Sequence, residues 1–269
     1  MAEQLDWVPA HVDMDVPSVA RIYDYLLGGG HNFAADRELV DKLLAVQPNM
    51  RWIARANRDF MRRAVSFMVE RGVRQFLDLG SGIPTVGHVH EIVQRVAPET
   101  RVVYVDRDDV AVAHAQLILA GNERAAALQA DILAPDDVLE SPEVRSLLDV
   151  RQPVGILILT TMHFASPDRD PGGAIKSYLD AVPSGSWLAI SHFDRGLLPP
   201  DQADEIVSVM GQSALPTYPR HRAEIVEMFG GFGLVEPGVV PVSLWRPDFP
   251  VDRENLNEII MSAGVGRKP

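Results

Sequence analysis

The chain contains no cysteine, which excludes disulfides, thiolate zinc sites, iron–sulfur clusters and cysteine nucleophiles together. It also lacks any run approaching the roughly 18–20 apolar residues of a membrane helix. The opening stretch MAEQLDWVPAHVDMD has no basic start followed by an apolar segment, so the expectation is a cytoplasmic protein with no membrane partner. Positive charge is scarce: 25 Lys and Arg against 37 Asp and Glu leave a formal net charge of -12. Such a field repels phosphate backbones and argues against nucleic acid as a partner, which leaves a small molecule. His88 and His90, two apart in a helical stretch, should point in different directions, and no metal site is expected.

What is present is enough apolar residue, 46% of 269, to bury one substantial core. The expectation is a single domain over 1–269. Residues 1–72 form a helical N-terminal cap, 73–194 a cofactor-binding core, 195–231 a helical insertion, and 232–269 a closing hairpin with a C-terminal tail. In the cap, apolar residues recur at helical spacing over 18–27, 35–46 and 50–68, ending at Gly28, Pro48 and Gly72. From Val73 the pattern changes to short apolar runs, at 75–79, 101–106, 125–130, 154–161 and 186–193. Helical stretches at 86–96, 110–121, 135–148 and 173–182 alternate with them. This is the signature of βαβ units with right-handed crossovers in a mostly parallel, Rossmann-like sheet. After a helical 200–230, the runs 233–236 and 239–245 joined by Pro237-Gly238 read as an antiparallel hairpin that completes seven strands.

The first strand ends in Asp78-Leu79-Gly80-Ser81-Gly82 and opens into a helix. Glycines there let a backbone approach a ligand, and Asp78 can accept from an amino group. The turn departs from the dinucleotide fingerprint, because Thr85 stands at the third glycine position. It also fails as a P-loop, since His88-Val89 occupies the Lys-Ser/Thr places. The second strand ends in Asp106, 24 residues beyond Gly82, where a carboxylate meets ribose hydroxyls. After the third strand, Asp131 could accept from an adenine amino group while the Ile132 amide donates to the ring. Each acid has a plainer reading, as a helix cap or a turn residue; three at successive strand ends are more specific than one.

Asp78 to Gly82, Asp106 and Asp131 resemble the first three motifs of class I S-adenosylmethionine-dependent methyltransferases. A narrower resemblance spans nearly the whole chain: Ser18-Val19-Ala20-Arg21-Ile22-Tyr23-Asp24-Tyr25-Leu26-Leu27-Gly28-Gly29, Asn32-Phe33, Ala35-Asp36, Asn57-Arg58 and Phe60. These are similar to the actinobacterial S-adenosyl methyltransferase family of unassigned substrate. The resemblance implies S-adenosylmethionine as cofactor and a helical lid to which Tyr25, Gly28, Asn32 and Arg58 contribute. Arg58 would grip the methionine carboxylate, although it shares its helix with Arg51, Arg55, Arg62 and Arg63 and could be solvated surface. Ser81 and Arg107, neighbours of the motif residues, complete the cofactor-binding candidates.

His163 and His192 follow the fourth strand and end the fifth, at the sheet edge where ligands bind. His163 is the better candidate for the cofactor wall or for catalysis; His192 more simply orients a loop. The activity implied is methyl transfer by in-line displacement, driven by alignment and exclusion of water. Two other functions stay open: a nicotinamide-dependent oxidoreductase and a non-catalytic S-adenosylmethionine-binding regulator. Tyr23, His31, Trp52 and Tyr218 either line an acceptor pocket or fill a core.

Overall fold

The computed structural model describes residues 12–83, 87–251 and 260–269. Residues 1–11 of the polar arm and Thr85 lie outside the described residues. Five strands run parallel: β1 (Gln75–Leu79), β2 (Arg101–Asp106), β3 (Ala125–Gln129), β4 (Gly155–Leu159) and β5 (Trp187–Phe193). Every residue of β1, β4 and β5 is buried, which is why these strands read as continuous apolar runs rather than alternating ones. Along the sheet the order is β3-β2-β1-β4-β5. The chain therefore builds outward from β1 to one edge and returns to start the other half at β4, leaving a crevice at the β1/β4 switch point.

The sheet closes differently from the expected hairpin. A strand β8 (Met261–Arg267) lies antiparallel to β5 over its whole length. The runs at 233–245 yield only β6 (Gly233–Leu234) and β7 (Val240–Pro241), and each pairs with β8 rather than with the other, giving eight strands. Pro241 has no N–H to offer a hairpin partner, and residues 242–244 turn into a 3-10 helix. The stretch Met-Ser-Ala-Gly-Val-Gly-Arg of β8 carries little strand propensity, because aromatic residues lie across it. A Cβ at Gly266 would sit 3.0 Å from the Phe229 ring, and one at Gly264 3.0 Å from Val239.

Alternate residues of the strands face opposite layers. On one side Phe76, Tyr104, Leu157 and Ala189 pack with the long helix α3 (Met50–Glu70), whose Phe60 and Phe67 meet Trp245 edge-on at 5.4 and 5.6 Å. On the other, Leu77, Val103, Ile156 and Ile190 pack with Val138, Val144, Tyr178 and Phe229. The intervening helices are α4 (Val89–Val96), α5 (Asp109–Ile118), α6 (Pro135–Leu139), α7 (Pro142–Leu147) and α8 (Pro171–Ala181). The 135–148 stretch is two helices because Ser141 caps the second, accepting from the Val144 amide at 3.2 Å. Likewise 200–230 divides into α9 (Pro200–Met210) and α10 (Arg222–Glu227), with Pro216 and Pro219 between them. His88 and His90 stack at 5.8 Å beside Tyr104 instead of diverging, since His88 is an extended N-cap outside the helix.

The cap begins with α1 (Val19–Leu27) and α2 (Ala34–Val46), locked by one fully buried carboxylate. Asp36 accepts from Arg21 Nε at 2.8 Å, the Ser18 amide at 2.9 Å and the Phe33 amide at 2.7 Å. Asp36→Ala strands the buried Arg21 charge, and we expect it to cost about 3–5 kcal/mol in urea denaturation. The pair replacement Arg21→Met with Asp36→Leu should cost much less; equal losses would show that the ion pair does not organise the cap.

Candidate functional site

The turn after β1 is built by two glycines in the left-handed region, Gly80 at φ 80° and Gly82 at φ 65°. A Cβ at Gly80 would fall 2.3 Å from the Thr161 side chain, so both conformation and space demand glycine. The turn is strapped to β2: the Gly80 and Ser81 amides donate to the Val105 carbonyl at 2.7 and 3.1 Å. The Gly82 amide donates to Asp106 Oδ2 at 2.7 Å, and Asp106 Oδ1 accepts from the Asp108 amide at 2.9 Å. Burial nevertheless pushes the Asp106 carboxyl above its ordinary value, against these amides.

Above this edge lies a cavity of about 570 Å³, within the size range of small-molecule and cofactor sites. Arg58, Asp78, Gly80, Ser81, Gly82, Asp106, Arg107, Asp131, Ile132 and His163 all line it. Asp78 is 6% exposed; burial raises its carboxyl to about 7, the Arg58 charge opposes this, and Asp106 adds to it. No hydrogen-bond donor among the described residues reaches that carboxylate. The same Arg58 charge lowers the Tyr23 hydroxyl, whose pKa burial raises.

Asp131 is engaged from within the chain: Oδ1 accepts from the Leu133 amide at 2.9 Å, and Oδ2 from Arg169 Nη1 at 2.9 Å. Burial opposes its ionisation, yet the Leu133 amide and Arg169 hold its pKa below the usual value. Arg169 also lines the cavity and carried no signal in the sequence; a loop arginine is identified only by what it pairs with in space.

Of the five arginines on α3 named above, Arg58 alone lines the cavity. Arg51 stacks over Tyr25 at 4.7 Å, Arg63 donates to the Val242 and Trp245 carbonyls at 2.8 and 2.9 Å, Arg62 pairs with Asp248, and Arg55 is exposed. Three lid candidates lie off the cavity wall. Tyr25 turns to Arg51, and Gly28 is the left-handed C-cap of α1, at φ 90°. Asn32 Nδ2 donates to Asp24 Oδ2 at 3.1 Å and the Gly29 carbonyl at 2.9 Å. They build the corner between α1 and α2, because α1 presents Ile22, Tyr23 and Leu26 to the cavity instead.

The two histidines separate. His163 Nδ1 accepts from the Phe193 amide at 3.4 Å, and burial, His192 and Arg220 hold its pKa well below the ordinary value. It is a neutral wall residue and a weak base. His192 is fully buried and off the wall: its Nδ1 donates to the Phe193 carbonyl at 2.8 Å, and its Nε2 accepts from Arg220 at 2.9 Å. Burial takes it down to about 4. Arg220 also donates to the Met162 carbonyl at 2.8 Å, so His192 helps position the segment that presents His163.

The chain matches the S-adenosyl methyltransferase family over residues 5–269. It is 39% identical to a Thermobifida fusca protein of known structure, with TM-score 0.92, covering 98% of this chain and 99% of that one. It is 40% identical to a DUF574 family protein from Streptomyces avermitilis, with TM-score 0.91, covering 96% and 99%. At 14% identity and TM-score 0.50, the fold is shared with N-methyltransferase NodS from Bradyrhizobium japonicum, solved with S-adenosyl-L-homocysteine, over 87% and 97% of the chains. Among curated proteins there is no match.

Asp78 has a folded-state pKa above its unfolded one, so it favours folding at low pH and loses that contribution as pH rises through about 7. In ligand-free protein, the stability advantage of Asp78→Asn over wild type should grow by about 2–3 kcal/mol between pH 5 and pH 8. Urea denaturation at the two pH values measures it; a constant difference would mean that Asp78 is not desolvated.

Proposed function

The chain belongs to the S-adenosyl methyltransferase family, and we propose that it transfers the methyl group of S-adenosylmethionine to a small-molecule acceptor held in the same cavity. The observation that carries this reading is the buried Asp78 carboxylate, which has no hydrogen-bond donor among the described residues and faces the Arg58 charge. An amino acid end, with its ammonium and carboxylate, complements that pair. Gly82 fits as well: it lines the cavity, and a Cβ there would meet no atom of the described residues within 4 Å, which leaves room for a ligand beside the turn.

In this reading Asp78 accepts from the cofactor's ammonium and Arg58 holds its carboxylate. Asp106, already oriented by the Gly82 and Asp108 amides, accepts from the ribose hydroxyls. Asp131 and the Ile132 amide read the adenine edge, with Arg169 fixing the Asp131 rotamer. Gly80 and Ser81 shape the turn, while Arg107 and His163 complete the wall. Tyr25, Gly28 and Asn32 act behind it, setting the corner from which α1 crosses the site. Held by Asp78, Arg58, Asp106 and Asp131, S-adenosylmethionine would supply an electrophilic sulfonium methyl to the acceptor's lone pair, with the neutral sulfide as leaving group and the acceptor's proton going to solvent. The protein contributes alignment and a dry apolar roof rather than a strong base, consistent with a His163 held neutral. The cap, core and insertion would then work as one domain over 1–269. A cytoplasmic location belongs to the same proposal; no helix among the described residues is long and apolar enough to cross a membrane.

Calorimetry tests the reading. Micromolar binding of S-adenosylmethionine and S-adenosylhomocysteine is expected, with loss on Asp106→Ala and no binding of NADH. Because Asp78 must ionise to receive an ammonium, S-adenosylmethionine affinity should fall about tenfold per pH unit below about 7, and Asp78→Asn should flatten the profile. A preference for NADH, or no binding of either sulfur compound, would sink the proposal.

A further inference from the structure

Much of the cavity wall differs in character from the acid-lined sheet edge. The wall residues contributed by α2, α9, the 214–218 segment and 260–261 carry no charge, and α3 contributes one charged residue, Arg58, already assigned to the cofactor. An ionic ligand placed against that wall would be desolvated without a counter-charge. Four of the chain's nine methionines, Met50, Met61, Met210 and Met261, line the cavity. Methionine walls adapt to flat ligands and make favourable sulfur–ring contacts.

Two uncharged wall residues hold buried polar atoms that no partner satisfies among the described residues: Asn57 Oδ1 and Thr217 Oγ1. Asn57 is 3% exposed and Thr217 4%, and an unsatisfied buried acceptor costs about 1–3 kcal/mol. The orientation of the Asn57 amide follows from its neighbour. Tyr23 donates its hydroxyl proton to the Ala54 carbonyl at 3.1 Å, so the phenol oxygen accepts from Asn57 Nδ2, at 2.9 Å. That leaves Oδ1 as an acceptor in want of a donor.

We propose that this uncharged part of the wall is the acceptor subsite and that it takes a neutral aromatic molecule bearing an O–H or N–H, which donates to Asn57 Oδ1 and engages Thr217 Oγ1. The word acceptor rests on the methyl-transfer reading; the site itself does not. The aromatic ring lies among the methionines, and the polar substituent removes the two desolvation penalties that the free protein carries.

The probes are 1-naphthol, its isostere 1-fluoronaphthalene and the anion 1-naphthoate, titrated into the full chain with and without saturating S-adenosylhomocysteine. The expected result is about a tenfold preference for the naphthol over the fluoronaphthalene, the worth of a net hydrogen bond, with naphthoate weakest. Asn57→Ala should cut that preference to about threefold or less, and Thr217→Val gives the same readout should the first variant fail to fold. Equal binding of naphthol and fluoronaphthalene, tighter binding of naphthoate, or no binding of any of the three overturns the proposal. S-adenosylhomocysteine affinity in the same titrations separates the two readings. If it binds and the naphthol preference is absent, the subsite falls and the methyl-transfer reading stands; if it fails to bind while the preference holds, the reverse is true.

Discussion

The cost of burying the Asp78 carboxylate governs the design of this protein. An acid at the end of a wholly buried strand, with no donor among the described residues, is a liability in the free protein. The fold accepts it because the strand end is also the switch point of the sheet, where β1 and β4 part and a ligand can enter. The glycine turn beside it, the Gly82–Asp106 strap and the Arg58 charge brought by α3 are all arranged around that one group. Burial raises its carboxyl to about 7 against the Arg58 charge; in the proposed reading a cationic occupant meets that cost.

The roof over this site is a second construction, held by a different buried carboxylate. Asp36 gathers Arg21, Ser18 and Phe33 into one corner, and Ser18 also donates to Asp108, whose amide binds Asp106. A chain of hydrogen bonds thus runs from the lock of the cap to the acid at the end of β2. The cavity wall is shared among the cap, the sheet edge and the segment around Thr217, so its shape depends on the cap being seated. The apolar character of that wall follows: its residues are the inner faces of amphipathic helices that elsewhere fill the core.

The strand ends were legible because burial on both faces writes a parallel strand as an uninterrupted apolar run. The expected 75–79 and 101–106 coincide with β1 and β2, and Asp78, Gly80, Gly82, Asp106 and Asp131 stand together on one edge for that reason. The cap helices were legible through their 3.6-residue stripe. What escaped was set by contacts between distant segments. β8 is poor in strand-forming residues because Phe229 and Phe232 occupy the space that side chains at 264 and 266 would need. The 233–245 runs looked like each other's partners because a sequence does not record that both lie in succession along one edge of a later strand, whose other edge is taken by β5. Tyr25, Gly28 and Asn32 shared a motif with cavity residues but face the α1–α2 corner, since neighbours along a helix point in directions about 100° apart.

By itself, the sequence determined a cysteine-free α/β chain with acids at three successive strand ends, a glycine turn that departs from a dinucleotide site, and a helical segment ahead of the sheet. These are local properties, carried by periodicity and by backbone conformations that only glycine tolerates. The tertiary structure alone decided which of the α3 arginines faces Asp78, that Arg169 holds Asp131, that His192 is spent on Arg220 while His163 reaches the wall, and that Asn57 and Thr217 share one cavity. Each of these joins segments tens to hundreds of residues apart, and the energy of such a pair depends on distance and burial, which exist only once the chain has packed.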